Sequence, residues 1–267
     1  MGSVTEQVRA WHPAVPGIAE VLHARFVEHA YPMHTHDTWT LLIVDSGAIR
    51  YDLDRGHHGS HAATVTLLPP HVAHDGRAAT DDGFRKRVIY LDPGVLDPAA
   101  VGAAVDAPDV RDPVLRERID VLHRAVTEPG DELEAESRLA FVCERLGRHL
   151  TRRCSLADHA GRRSTRGVAQ ALRDLLDEHA PAGLTLRDAA ARLGAHETHL
   201  VRSFTAAFGL PPHAYLTGRR IDAARRMLLD GQPPARVAAA AGFYDQAHLT
   251  RHFRRYLGVS PARYARG

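Results

Sequence analysis

The sequence has very little cysteine, a single lysine and no long apolar run. Its only cysteines, Cys143 and Cys154, exclude a disulfide framework and favour a reducing compartment. No apolar stretch approaches the roughly 20 residues that a membrane-spanning helix needs. The N-terminal segment MGSVTEQVRAWHPAVPG has no apolar core of the kind found in signal peptides. These absences predict a cytoplasmic protein without a membrane partner.

Charge is unevenly distributed along the chain. The formal net charge is only +2, but residues 165–267 contain 15 Arg against 8 Asp or Glu, about +7. The first 164 residues carry the compensating charge of about −5. A basic C-terminal third is typical of a protein that binds a polyanion, and a solvated helical surface is the alternative. Charge alone does not distinguish a polyanion-binding surface from a solvated one, so the motifs are needed to decide.

Short strand-like segments fill the first part of the chain. IRYDLD alternates apolar and polar residues, whereas TLLIV, TVTLL and RVIYL are short apolar or β-branched runs. The turn-forming sequences DSG, RGHHG, LPPH and DDG separate these segments. Several short strands at this spacing predict a barrel or a sandwich.

Two amphipathic helices joined by a Pro-Gly turn are predicted to follow the strands. Such an antiparallel hairpin, over 111–154, can cap the barrel or expose one face to a second subunit. The polar segment 155–166 comes next and is predicted to be an interdomain linker. The residues predicted to form the two apolar helix faces are Leu115, Ile119, Leu122 and Val126, and then Leu139, Val142, Leu146 and Leu150.

A 17-residue pattern occurs twice in the basic third. HLVRSFTAAFGLPPHAY begins at His199 and HLTRHFRRYLGVSPARY at His248, with seven identical residues at the same offsets. A short helical segment ending near Gly194 or Gly242 precedes each copy, so each unit is predicted to be a helix-turn-helix. The shared Leu, Phe, Gly, Pro and Tyr specify the fold. The varied positions lie on the outer face of the second helix, which in such motifs meets base edges in the major groove.

The segment from about Thr165 to Arg266 resembles the DNA-binding domain of the AraC/XylS family of bacterial transcription regulators. AGFYDQAHLTRHFRRYLGVSPARY carries the match and, less strongly, so does LGAHETHLVRSFTAAFGLPPHAY. The resemblance implies two recognition helices in successive major grooves of double-stranded DNA. The base-facing residues that it implies are Thr198, Val201, Arg202, Gln246, Ala247, Thr250 and Arg251, and the phosphate contacts are Arg254, Arg255, Arg219 and Arg220.

Two features of the recognition helices stay open. Arg202 and Arg251 are shared between the copies, so a structural or phosphate role competes with bidentate pairing to guanine. His196 departs from the family pattern, in which a small polar residue often caps the first recognition helix. This departure leaves the start of that helix undecided.

The stretches PMHTHDTWTLLIVDSG and LPPHVAHDG resemble the cupin-like ligand-binding domain of AraC-type sensors. His34, His36 and His74 match three histidines of the cupin pattern, but Thr40 occupies its glutamate position and His71 a glycine position. Three imidazoles could hold Zn²⁺ or another borderline divalent metal. The missing carboxylate argues against a catalytic centre. The alternative is a cavity that the histidines line without a metal.

Other residues of this domain are weaker candidates. Trp39 and Tyr51 are predicted to line the effector cavity, although aromatic residues in a small barrel are often core. RGHHGSH, which contains His57, His58 and His61, is predicted to be an exposed β-turn rather than a ligand cluster.

Together the motifs predict an α+β multidomain chain. It comprises a cupin-like β-barrel at 1–110 that binds a small-molecule effector, the hairpin as dimerisation element, and an all-α DNA-binding domain at 167–267. The resemblance implies a homodimeric transcription regulator, not an enzyme, that acts with RNA polymerase. Whether it is an activator or a repressor stays open. A metal-sensing regulator is the alternative, and a metal-dependent cupin enzyme is a further one. The sequence identifies neither the effector nor the operator.

Overall fold

The computed structural model describes residues 6–127, 130, 132–154 and 166–266. Most of the predicted linker, 155–165, lies outside the described residues. The strands are β1 Gln7–Trp11, β2 Ile18–Phe26, β3 Tyr31–His34, β4 Trp39–Leu53, β5 Gly56–His61, β6 Val65–Leu68, β7 His74–Ala78, β8 Phe84–Leu91 and β9 Asp109–Val110. The helices are α1 Val101–Asp106, α2 Pro113–Ala125, α3 Glu132–Cys154, α4 Arg166–Glu178, α5 Leu186–Leu193, α6 Glu197–Phe208, α7 Pro212–Leu229, α8 Pro234–Ala240, α9 Gln246–Leu257 and α10 Pro261–Tyr264. This order confirms the predicted fold class.

The strands pair antiparallel in two layers that share β4. The first part of β4 pairs with β6 and β8, and its second part pairs with β5 and β7. The predicted turn at DSG is wrong, because the strand bends there without ending. Gly47 has a φ of +73°, and a Cβ at this position would lie 2.1 Å from the Gly83 carbonyl oxygen. Only glycine allows this bend and close approach.

The helical hairpin covers one face of the sheet. All eight residues predicted for its apolar faces are buried, in one cluster with Trp39, Leu41 and Ile43 of β4. Asp112 caps α2 by accepting from the amides of Val114 and Leu115. Its carboxylate also pairs with Arg145 of α3, at 2.6 Å from Nε. The predicted apolar faces are therefore confirmed. Because Asp112 both caps α2 and pairs with Arg145, it also holds the two helices together.

The C-terminal third contains two helix-turn-helix units, α5–α6 and α8–α9, joined by the single helix α7. The first unit has a core of its own around Leu200, Phe204 and Tyr215. The core of the second unit, around Leu249 and Phe253, is continuous with apolar residues of the barrel. The second unit and α7 are thus docked on the N-terminal domain. Within the described part of the chain, no helix is both long and apolar enough to cross a membrane.

Candidate functional site

A narrow cavity opens inside the strand layers. Its walls include the three predicted histidines, Tyr51 and Lys86, so most of the predicted cavity residues do come together. Solvent can occupy only about 40 Å³ inside it, enough for a few water molecules. Any larger ligand must displace wall residues when it enters.

The three histidines converge at one end of the cavity. His34, His36 and His74 are 6%, 8% and 4% exposed, and one ring nitrogen of each lies within 4.8 Å of the others. Burial, reinforced by the neighbouring imidazoles, holds the pKa of His34 well below its usual value. The same causes lower the pKa of His74 to about 3. These two imidazoles are therefore neutral at physiological pH, the form that binds a metal.

Lys86, the only lysine of the chain, also lines the cavity. The alternation of β8 places it on the same face as Phe84 and Val88, and its Nζ lies 4.2 Å from the centroid of the Tyr31 ring. Burial, together with the positive charge of Arg225, lowers its pKa to about 7. Among the described residues no carboxylate pairs with this amine. The cavity thus contains a buried amine without a carboxylate partner among the described residues. The position of the single lysine within an alternating strand could have revealed it.

Hydroxyl groups without partners add to the polar character of the cavity. Thr40 Oγ1 and Ser60 Oγ are buried and have no hydrogen-bond partner among the described residues. Tyr51 lies beside the Asp109 carboxylate, and burial together with this charge raises the pKa of its phenol. Unpaired buried hydroxyls cost free energy unless a ligand satisfies them. The cavity therefore suits a ligand that carries oxygen atoms.

Two predictions for this domain are wrong, one for Trp39 and one for the RGHHGSH segment. Trp39 does not line the cavity: its side chain is fully buried on the other face of the sheet, against the hairpin. The RGHHGSH segment is no turn, because Gly56–His61 forms β5 and pairs with the second part of β4. Its alternating exposure turns His57 outward, where it pairs with Asp52 at 2.6 Å.

A buried ion pair joins the barrel to the DNA-binding domain. Arg225 of α7 and Glu20 of β2 are 4% exposed, and Arg225 Nη2 donates to Glu20 Oε1 at 2.6 Å. Tyr264 accepts from Arg225 Nε at 3.1 Å and donates to Glu20. The guanidinium also lies 4.4 Å from the Tyr90 ring centroid. We call Glu20, Tyr90, Arg225 and Tyr264 the domain seam.

The shared tyrosine of the two repeats is used differently in each. Tyr215 donates to Asp177 of α4 at 2.9 Å and so remains within the DNA-binding domain. Tyr264, its counterpart, reaches across to Glu20 of the barrel. The second repeat therefore has an additional role, in docking the two domains.

Further charged contacts surround the seam. The Asp222 carboxylate of α7 lies 3.1 Å from His36 Nδ1 of the barrel. Arg219 pairs with Asp37 of the barrel at 3.2 Å and with Asp177 at 2.9 Å. Arg220 donates to the Ala180 carbonyl at 2.7 Å. The two ion pairs occupy the Arg219 guanidinium and contradict its predicted phosphate role. Arg220 uses only its Nε, so its phosphate role stays a prediction.

Local capping defines both recognition helices. Asp245 caps α9 by accepting from the His248 amide at 2.7 Å. His196 takes the corresponding place in α6, where its Nδ1 accepts from the Thr198 amide at 3.2 Å. An imidazole thus replaces the usual small polar cap. Gly209 and Gly258 end the helices with φ of +74° and +73°, a conformation that favours glycine.

The predicted DNA contacts lie on open surface. Seven of the nine are exposed, and Val201 and Thr250 are half-buried. Thr250 donates its hydroxyl to the Gln246 carbonyl at 2.8 Å. Arg202, Arg251, Arg254 and Arg255 form no ion pair among the described residues. Their charges are therefore available to an external anion.

An exposed aromatic residue next to α9 was not predicted. Tyr244, directly before the Asp245 cap, is 92% exposed. It lies beside the outer face of α9, where a base or a sugar can contact its ring. Its only signal in the sequence is an aromatic residue at the turn before a recognition helix.

Comparisons with known proteins agree with this arrangement. The profile of the AraC-like ligand binding domain matches residues 17–140, and a helix-turn-helix domain profile matches residues 189–267. The uncharacterized HTH-type transcriptional regulator YbfI of Bacillus subtilis is 24% identical over 237 residues, covering 86% of this chain and 85% of YbfI. The virulence regulon transcriptional activator VirF of Yersinia enterocolitica is 30% identical over 92 residues, 34% of either chain.

Solved structures give the same fold. ToxT from Vibrio cholerae O395 superimposes with a TM-score of 0.58 at 12% identity, covering 98% of each chain. Wild-type ToxT of strain SCE256, in a structure with bound unsaturated fatty acid, has a TM-score of 0.56 at 12% identity and covers 99% of this chain and 96% of its own.

A ligand-binding strand domain joined to two helix-turn-helix units defines a DNA-binding transcription regulator with its own sensor. The two profile matches, in this order along one chain, identify the family. The protein belongs to the AraC family of transcriptional regulators.

Proposed function

We propose that the barrel cavity binds a small organic anion and that this binding changes the affinity of the two recognition helices for DNA. The observation that carries the proposal is Lys86, a buried amine without a carboxylate partner, in a cavity with unpaired hydroxyls. A carboxylate would supply the missing charge and accept hydrogen bonds from Thr40 and Ser60. The fatty acid bound by ToxT belongs to the same chemical class.

The cavity walls connect the ligand to the DNA-binding domain. Tyr90 lines the cavity and its ring also lies under Arg225 of the seam. Because the free space is so small, ligand entry must move such wall residues. The two domains can be docked at the seam or separated. A ligand that binds one of these two arrangements more tightly shifts the population toward it. The barrel acts as a sensor in this proposal, and no catalytic step is required.

Thermal unfolding and DNA binding test the anion. The probes are oleate and a short aromatic carboxylate, each compared with the corresponding alcohol. We expect the acid to raise the melting temperature of the wild type and to change its affinity for an operator selected from random DNA. Lys86→Gln should lose both effects, whereas Lys86→Arg, which retains a cation, should keep part of them. Equal stabilisation by the alcohols would contradict the proposal.

On the DNA side, we propose base reading by the exposed residues of α6 and α9 and phosphate contacts by Arg254 and Arg255. Tyr244 is added to this surface. Because the partner is DNA, the protein acts in the cytoplasm, and as a regulator it works with RNA polymerase. Deletion of the gene followed by transcript analysis would reveal whether it activates or represses.

The outer face of the hairpin is proposed as the dimer interface. Phe141 and Leu133 of α3 are 50% and 77% exposed, and the Phe141 ring lies 5.6 Å from the Arg118 guanidinium. Exposed apolar residues on a helix whose other face is buried suit a second copy. Phe141→Glu should yield monomers in sedimentation experiments. As a control, Tyr244→Ala removes an exposed aromatic residue outside the hairpin and should leave the dimer intact. A Phe141→Glu variant that remains dimeric would refute this interface.

A further inference from the structure

The hydrogen bonds around the three cavity histidines fix which ring nitrogen carries the proton. His34 Nδ1 lies 2.7 Å from the Pro32 carbonyl oxygen, and His74 Nδ1 lies 3.0 Å from that of Val72. A carbonyl only accepts, so both Nδ1 atoms must be protonated. His36 Nδ1 faces the Asp222 carboxylate at 3.1 Å, which favours the same tautomer. In the neutral rings, each Nε2 is therefore an acceptor.

These Nε2 atoms point toward one another. His34 Nε2 and His36 Nε2 are only 3.2 Å apart, although two lone pairs at this distance form no hydrogen bond. A cation between the nitrogens removes the conflict without a proton.

The spacing fits a metal ion. Nitrogens bound to Zn²⁺ at about 2.0–2.1 Å in tetrahedral geometry are separated by about 3.3 Å. The observed 3.2 Å between His34 and His36 is close to this value, and His74 lies within 4.8 Å. Each ring is also oriented through its Nδ1, the outer contact that metal-binding histidines almost always make.

We propose that His34, His36 and His74 bind a borderline divalent metal ion of the Zn²⁺ type, and that Asp222 makes this site responsive to the position of the DNA-binding domain. All-nitrogen ligation excludes Mg²⁺ and Ca²⁺, which prefer oxygen. Three protein ligands leave one position of a tetrahedral ion for an external ligand, and the three histidines and Lys86 line the same cavity. A carboxylate bound by Lys86 would be the ligand for that position.

Asp222 gives the site its link to regulation. It lies on α7, between the two helix-turn-helix units, and contacts His36 across the domain boundary. Its carboxylate orients the His36 ring through Nδ1 only while the domains are docked. Bound metal therefore stabilises the docked arrangement, and docking increases metal affinity by the same factor. This regulatory part rests on the proposed function, whereas the metal site itself does not.

Metal titration tests the site directly. The full chain, stripped with a chelator, is titrated with Zn²⁺ in competition with a fluorescent indicator, and with Co²⁺ monitored by its visible spectrum. We expect one ion per chain and the intense absorption bands of four-coordinate Co²⁺. Asp222→Asn should weaken Zn²⁺ binding by about 10–100-fold, and His74→Ala by at least as much. Circular dichroism verifies that each variant is folded.

Two matched variants serve as controls. Asp52→Asn alters the exposed Asp–His pair with His57, and a His57→Ala, His58→Ala double variant removes two histidines from β5. Both should bind Zn²⁺ as the wild type does. Absence of the Co²⁺ bands in the wild type would overturn the metal site, as would equal losses in the controls. Zn²⁺ binding that leaves DNA affinity unchanged would overturn its regulatory part.

The two proposals fail separately. If Zn²⁺ does not bind but the carboxylate probes still change operator affinity, the metal site is wrong and the proposed function stands. If Zn²⁺ binds as predicted and neither it nor the carboxylates affect DNA binding, the site stands and the proposed function is wrong.

Discussion

Glu20→Gln is the substitution that most selectively weakens the domain seam. It keeps the size of the side chain and an acceptor oxygen but removes the negative charge that faces Arg225 at 2.6 Å. Arg225 then remains buried, with Asp222 at 3.5 Å as its nearest carboxylate. Because Glu20 and Arg225 belong to different domains, their separation allows water to reach the unpaired guanidinium. We therefore expect the docked arrangement to be destabilised.

The magnitude follows from the burial of the pair. Removing one partner of a buried ion pair costs about 3–5 kcal/mol. The glutamine retains part of the hydrogen bond, and a hydrogen bond to a charged group contributes about 1.5–3 kcal/mol. A loss of about 2–3 kcal/mol is the resulting expectation, which shifts the docking equilibrium about 30–150-fold toward separated domains.

Energy transfer between dyes measures this shift. Asp81 in the barrel and Ala239 in α8 are both exposed and can carry the dyes, in a chain whose native cysteines are replaced. Glu20→Gln should lower the transfer efficiency and change operator affinity. Glu28→Gln alters an exposed glutamate and should change neither. Unchanged transfer and unchanged DNA affinity in Glu20→Gln would refute the role of the seam, and thermal unfolding will reveal whether the barrel itself has been damaged.

Three further predictions concern DNA binding and pH. Arg251→Ala should cost about 1–3 kcal/mol at the operator and relax base choice there; an equal loss on all sequences would show that Arg251 contacts phosphate. Arg254→Ala should weaken all DNA binding and reduce the slope of log affinity against log salt by about 1; an unchanged slope would contradict the phosphate contact. Carboxylate affinity, measured by calorimetry, should fall as pH rises above about 7, because Lys86 with its lowered pKa must take up a proton to pair with the anion. A flat response between about pH 6 and 9 would refute the role of Lys86.

The DNA-binding units could be predicted because their determinants are local. Caps, turn glycines and apolar residues four apart, such as Leu249 and Phe253, occur within one short segment and repeat in the next. The cavity histidines were predicted for the same reason, since each lies in a short recognisable motif. His57 and His58 were misassigned because a glycine-rich segment is compatible with either a turn or an edge strand.

The seam could not be predicted, because its contacts are non-local. Glu20 and Arg225 are 205 residues apart, and Arg225 is one of several arginines along α7 that appear equally basic in the sequence. Trp39 was assigned to the wrong face because β4 begins with a continuous apolar run. Such a run, buried on both faces, has no alternation from which the inward side can be inferred. The location of these side chains is decided only when the domains pack together.

The central claim is that the barrel cavity and the recognition helices are coupled across the seam. Operator affinity, measured with the carboxylate probe absent and then saturating, tests this most directly. We expect operator affinity to change about 5–150-fold, probe affinity to change by the same factor when operator is present, and both changes to be lost in Glu20→Gln. A probe that binds the cavity and leaves operator affinity unchanged would contradict it.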